Sequence, residues 1–353
     1  MSKLCFLLFL PLFSIAQSIS YQYQQAYDYL RSMLEEERSV NFKEAVWATE
    51  NTYYEGFLDT TLLNQYVEEL VVLSKSLAKQ NPLEAYNGKD EGLLTTWASI
   101  FSVMTDTVWI KYKGELQPLQ PFQYNFEDIF GQKDWSNMFV SSLLTKRKGN
   151  CHSMPYLYKI IAEELDVPCH IAIAPNHFYI KHRSEQMGWF NTELTSGSFP
   201  IDAWLMASGY ISLQAVQNGI YMDTLSAKES IALCVIDLAH GYEHKYPDHD
   251  GSFVLQCCDL ALQYFPDYVN ALLLKAETHL LQLQQLQADF GYEYLKEVTK
   301  LPKGKALWEE MNTTYQKLYQ LGYRQMPDEM YLEWLESLEK EKERYNNKKI
   351  GRE

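Results

Sequence analysis

The chain has 353 residues, enough for two or three cores, and a formal net charge of −15. Its 46% hydrophobic and 14% aromatic content supplies enough apolar surface to exclude global disorder. The acidity disfavours nucleic-acid backbones, and no stretch beyond the first residues is long and apolar enough to predict a membrane span.

Lys3, the apolar run from Leu4 to Phe13, and the small residues Ser14 and Ala16 read as an export signal cleaved after Ala16. Residues 1–16 are therefore expected to be removed, leaving a periplasmic or extracellular protein. Five cysteines would remain: Cys151, Cys169, Cys234, Cys257 and Cys258. An odd number predicts at least one free thiol or a bridge to another chain. Cys234, Cys257 and Cys258 fall in apolar helical patterns, where cysteine acts as a small hydrophobe.

Residues 17–123 read as a helical N-terminal region. Apolar residues at helical spacing predict three helices over 21–80, broken near Ser39-Val40-Asn41 and at 56–59. A fourth runs from Glu91 to about Val108. Gly114, Pro118 and Pro121 make 112–123 an irregular linker into a core spanning 124–224. There, 135–144 reads as a helix whose end is marked by Lys146-Arg147-Lys148, complementing the dipole, and by Gly149 as the stop.

The next helix is expected to open at or just after Cys151. Pro155 lies in its first turn, and Met154, Leu157, Tyr158, Ile161 and Leu165 form one apolar stripe. Strands follow at 169–174, 177–181 and 189–194, so the core is α+β. His170 and His182 are expected on the strand surface. Residues 225–353 read as helical again. A capping box at Ser226 and Glu229 opens a helix, and further segments cover 252–264, 267–283 and 290–300. The residues from Ala261 to Pro266, with Ala276 and Ala288, fall near tetratricopeptide positions, which predicts a repeat surface for a protein partner. The charged tail after Leu335 reads as a solvated helix end.

The chemistry concentrates between 146 and 195. A thiolate is the reactive form of cysteine, and a helix N-terminus favours negative charge and offers N–H groups to an oxyanion. Cys151 stands at such a start. His177, opening a strand, is the candidate base that takes the thiol proton and returns it to the leaving amine. Asn191 and Glu193, two apart on one strand face, are both candidates to hold the imidazole by its other nitrogen. His152 competes as base, but its place at the helix start points it elsewhere. Asn176 and Trp189 are candidates to line the site. His240-Gly241-Tyr242-Glu243-His244 fits H-x-x-E-H, a spacing able to hold zinc. It stands at a helix end before Pro247, where histidine complements the dipole, so no metal is assigned and the thiol chemistry calls for no cofactor.

Gly149-Asn150-Cys151, Pro175-Asn176-His177-Phe178 and the segment from Trp189 to Thr195 resemble the transglutaminase-like superfamily, nearest its SirB-type bacterial branch. The resemblance covers roughly 125–205, and tetratricopeptide-like helices behind the core match that branch as well. It implies a papain-like core and a triad of cysteine, histidine and a carboxylate followed two positions later by threonine. Glu193 with Thr195 takes that place, ahead of Asn191, although aspartate is usual there. The implied activity is a cysteine hydrolase or acyltransferase on an amide or peptide substrate. The competing class is an inactive scaffold whose repeats bind a protein or peptide.

Overall fold

The structure, a computed structural model, describes residues 10–350 apart from 84, 85, 87 and 113, with no side chain described before 21, at 112 or 339, or from 344. Positions 1–9 of the expected export signal lie outside the described residues. The helices α1 (Leu10–Leu34), α2 (Phe42–Tyr53), α3 (Thr60–Gln80) and α4 (Glu91–Thr105) come first. Strands β1 (Val108–Tyr112), β2 (Glu115–Leu119) and β3 (Gln123–Tyr124) precede a 3-10 turn at Trp135–Met138, helix α5 (Val140–Lys146) and strand β4 (Lys148–Gly149). Helix α6 (Ser153–Glu164) leads into β5 (His170–Ala174), β6 (His177–Ser184) and β7 (Gly188–Thr192). The chain is then helical: α7 (Asp202–Met206), α8 (Leu213–Gln217), α9 (Ala227–Lys245), α10 (Ser252–Tyr264) and α11 (Val269–Phe290). A second 3-10 turn at Leu295–Lys300 precedes α12 (Pro302–Leu321) and α13 (Asp328–Ile350). The architecture is mixed α+β with helical segments at both ends.

Two compact units emerge, and neither is contiguous: Met1–Thr60 joins Ala227–Leu318, and Thr61–Ser226 joins Tyr319–Glu353. The breaks thus follow 60, 226 and 318, beside regions drawn in chain order at 17–123, 124–224 and 225–353.

The first unit is all helical. Helix α9 carries buried residues at nearly every position from Ser230 to Ile236, so it is surrounded rather than half-exposed. Asn41 accepts the Glu44 N–H and caps α2, which explains the break before it. Cys234, Cys257 and Cys258 are buried among the apolar side chains of this core, where they pack as small hydrophobes. The segment expected to be helical at 290–300 differs: α11 runs on to Phe290, Gly291 caps it at φ +63°, and only a 3-10 turn follows.

The second unit holds an antiparallel sheet in the order β5-β6-β7, with Ala174 opposite His177 and Lys181 opposite Asn191. Helix α6 packs on β5 and β6. It is buried at every position from Ser153 to Ala162, so the expected single stripe understates it. The expected linker is instead a hairpin in which β1 pairs with β2, Trp109 opposite Pro118. A two-stranded hairpin leaves outer edges unpaired, so the missing proline N–H costs no ladder bond. The helix expected at 135–144 is interrupted by extended Phe139. The charged tail after Leu335 is not wholly solvated: Leu338 is buried, as are Tyr331, Trp334 and Leu335 of α13 just before it.

Candidate functional site

The approach to Cys151 is shaped by three residues. Arg147, not Gly149, ends α5 in the left-handed region at φ +54°. Gly149 is needed for space: a Cβ there would stand 2.6 Å from Ser153 Oγ and 2.7 Å from Leu143 Cδ1. Asn150 is fully buried, and its Oδ1 accepts from the His152 and Ser153 N–H groups at 3.1 Å each. Its Nδ2 donates to Ile129 O at 3.1 Å. Asn150 therefore caps α6 and fixes Cys151 beside that helix start. The cap also corrects an expectation, because these two N–H groups are satisfied internally instead of awaiting an oxyanion.

His177 follows the two-residue turn Pro175-Asn176, where Asn176 takes φ +55°, a conformation asparagine tolerates. The Asn176 carbonyl accepts from Cys151 Sγ at 3.5 Å. His177 Nε2 meets Glu193 Oε2 at 2.5 Å, and its Nδ1 meets the Tyr331 hydroxyl at 2.9 Å. Glu193 lies just past β7, tied by reciprocal backbone bonds to Ser198. Its Oε1 accepts from the Thr195 N–H at 2.8 Å and from the Thr195 hydroxyl. Asn191 does not reach the imidazole. Its amide donates to Pro200 O at 3.0 Å and Asp202 Oδ1 at 2.8 Å. The structure thus joins His177 to Glu193, places the Cys151 thiol on the carbonyl of the neighbouring Asn176, and leaves Asn191 aside.

The charges are coupled. Burial pushes the Cys151 thiol up, but the hydrogen bond and charge of His177, then Tyr331 and His152, outweigh it and bring it below its ordinary value. Burial alone would lower His177, yet the Glu193 carboxylate and the thiol raise it to about 10. Burial would raise Glu193, and the imidazolium and Thr195 hold it below the usual carboxylate range. A thiolate–imidazolium pair backed by a carboxylate is the state these directions favour.

The remaining candidates are placed as follows. His152 is buried, with Nδ1 2.9 Å from Met138 O. Trp189 is half-exposed and packs edge-on against His170, away from the thiol. His182 is no strand-surface residue: it is buried, stacked on Trp97 at 4.4 Å and 3.1 Å from the Tyr158 hydroxyl. His240 and His249 both face Glu243, at 3.1 and 3.8 Å. Among the described residues no group of three or more His, Cys, Asp or Glu side chains is placed to hold a metal ion.

Sequence reasoning missed Tyr124, Tyr331 and Trp334. The hydroxyls of Tyr124 and Tyr331 are 3.3 Å apart and both interact with the thiol. Trp334 meets the His177 ring edge-on at 5.0 Å. The assembly is closed: Cys151 is 4% exposed, His177 3%, Glu193 1% and Tyr331 0%. A groove of about 1140 Å³ opens elsewhere in the unit, along α3 and the β1–β2 hairpin, and none of the three reactive residues lines it.

The chain matches no family model, no curated protein and no solved structure. No helix among the described residues is long and apolar enough to cross a membrane.

Proposed function

We propose that this is an exported, transglutaminase-like cysteine hydrolase or acyltransferase acting on amide or peptide bonds. The observation that supports it most is the buried pair His177–Glu193, with Thr195 securing the carboxylate, beside the buried Cys151 thiol on the carbonyl of Asn176. Glu193 holds Nε2–H, so Nδ1, on which the Tyr331 hydroxyl now sits, is the nitrogen that exchanges a proton with the thiol once that hydroxyl is displaced. The Cys151 thiolate adds to the substrate carbonyl, forming the C–S bond. The C–N bond then breaks as the imidazolium gives its proton to the leaving amine. Water or a second amine, deprotonated by His177, displaces the thiolate and completes hydrolysis or transfer. The chemistry uses no cofactor.

The closed site favours a second reading, an inactive scaffold in which the same residues are structural. Iodoacetamide separates the two. In the full chain, alkylation of Cys151 is expected to follow a thiolate midpoint well below pH 8, and His177→Ala is expected to return that midpoint to the ordinary thiol range of about 8.5. An ordinary midpoint in the unaltered chain sinks the catalytic reading and leaves the scaffold.

A further inference from the structure

The residues needed for the proposed chemistry all come from 151–195, yet a segment far along the chain lies on top of them. The Tyr331 hydroxyl occupies His177 Nδ1, the nitrogen that must serve the thiol and the leaving amine, at 2.9 Å. Trp334 covers the imidazole from the side, and Phe130 packs on the Tyr331 ring at 5.2 Å. With Cys151 only 4% exposed, no substrate carbonyl reaches its sulfur while this helix is docked.

The segment is held along one face. Met326, Tyr331, Trp334, Leu335 and Leu338 are buried, whereas 328–330, 332 and 333 are exposed. Beside that stripe and the Tyr331 contacts, its ties include Asn176 Nδ2 to Met326 O at 2.9 Å, Gln132 to Asp328 at 3.3 Å, Trp334 Nε1 to Trp204 O at 3.4 Å and Lys342 Nζ to Ser196 O at 2.6 Å. Its base, by contrast, is clamped. Ser212 Oγ donates to Gly322 O at 3.0 Å and Gln214 Nε2 to Gln320 O at 2.7 Å. Gly322 follows α12 at φ +87°, and Arg324 and Gln325 beyond it are exposed.

We propose that residues 323–350 are an autoinhibitory strap that swings away at 322–327 to admit substrate, a proposal that rests on the reading of Cys151 as a nucleophile. Tyr331 is the plug, and the fixed end of α12 keeps the strap close when it opens.

The test uses the full chain with a recognition sequence for a site-specific protease inserted between Tyr323 and Arg324. Cleavage is expected to raise the rate of Cys151 alkylation by iodoacetamide at least about tenfold. A synthetic peptide covering 324–353 is expected to slow it again. In the uncut chain, Gln132→Ala with Lys342→Ala, which removes the ties to Asp328 and Ser196, is expected to raise the rate to a smaller extent. The proposal is overturned if cleavage leaves the rate unchanged, if the uncut chain already reacts as fast, or if the cut chain loses its cooperative thermal transition, which would make the segment part of the core. A large rise with an ordinary thiol midpoint near pH 8.5 would leave the strap standing and remove the catalytic reading instead.

Discussion

At the scale of single residues, the pair His177–Glu193 decides how the site responds to pH. His177 is raised from 6.5 to about 10 on folding, so its contribution is whole below 6.5 and is lost as pH climbs through 10. Glu193 is lowered from 4.5, so its contribution is whole above 4.5 and is lost as pH falls through its folded value. The two windows overlap between 4.5 and 6.5. Glu193→Gln leaves a buried imidazole without its counter-charge and is expected to cost about 3 kcal/mol in that window, by urea unfolding. The difference should shrink toward pH 10, and a pH-independent cost would contradict the ion pair. Asn191→Ala removes the ties to Pro200 and Asp202 instead. We expect a loss of about 1–3 kcal/mol of stability and an unchanged pH midpoint for Cys151 alkylation. A shifted midpoint would return Asn191 to the site. The sequence brought out Glu193 because Thr195 follows it, and Thr195 does bind its carboxylate. It left Asn191 in contention because strand alternation puts residues two apart on one face. The strand ends at Thr192, so alternation no longer governs Glu193.

Among the elements, the turn before α6 matters most. Its glycine was legible, but for the wrong reason. Glycine as a helix stop is a common pattern, whereas here Arg147 takes the left-handed position and Gly149 makes room for Ser153 and Leu143. Gly149→Ala is expected to force these side chains apart, cost about 1–3 kcal/mol in urea unfolding, and disturb the placement of Cys151. An unchanged unfolding midpoint would show that Ser153 and Leu143 yield freely. The buried cap Asn150 could not be recognised from spacing, because it stands three residues before the first helical one. Strands β5 to β7 lie close to the segments expected at 169–174, 177–181 and 189–194, with β6 running on to Ser184 and β7 ending at Thr192. The β1–β2 hairpin was not, since Gly114 and Pro118 read as breakers, and a hairpin with free outer edges tolerates a proline that a central strand would refuse.

For the molecule as a whole, chain order conceals what space brings together. Tyr331 lies 154 residues from His177, just before the tail whose charge suggested solvent. Its buried stripe is short, and a stripe alone does not say what it covers. The two discontinuous units have the same origin: helices early and late in the sequence share one core. The proposal of export is tested on the whole chain. We expect the mature N-terminus to be Gln17 by mass spectrometry of protein recovered outside the cytoplasm, and retention of Met1 there would contradict it. The central claim is that Cys151 carries an acyl group between two acceptors. Its most direct test is to expose the chain, with the strap cut after Tyr323, to a small activated ester and to follow the adducts by intact mass and peptide mapping. The account predicts one acyl adduct, on Cys151, that decays in water, decays faster when an amine is added, and fails to form with His177→Ala. An absent adduct, or one spread equally over Cys169, Cys234, Cys257 and Cys258, would contradict it.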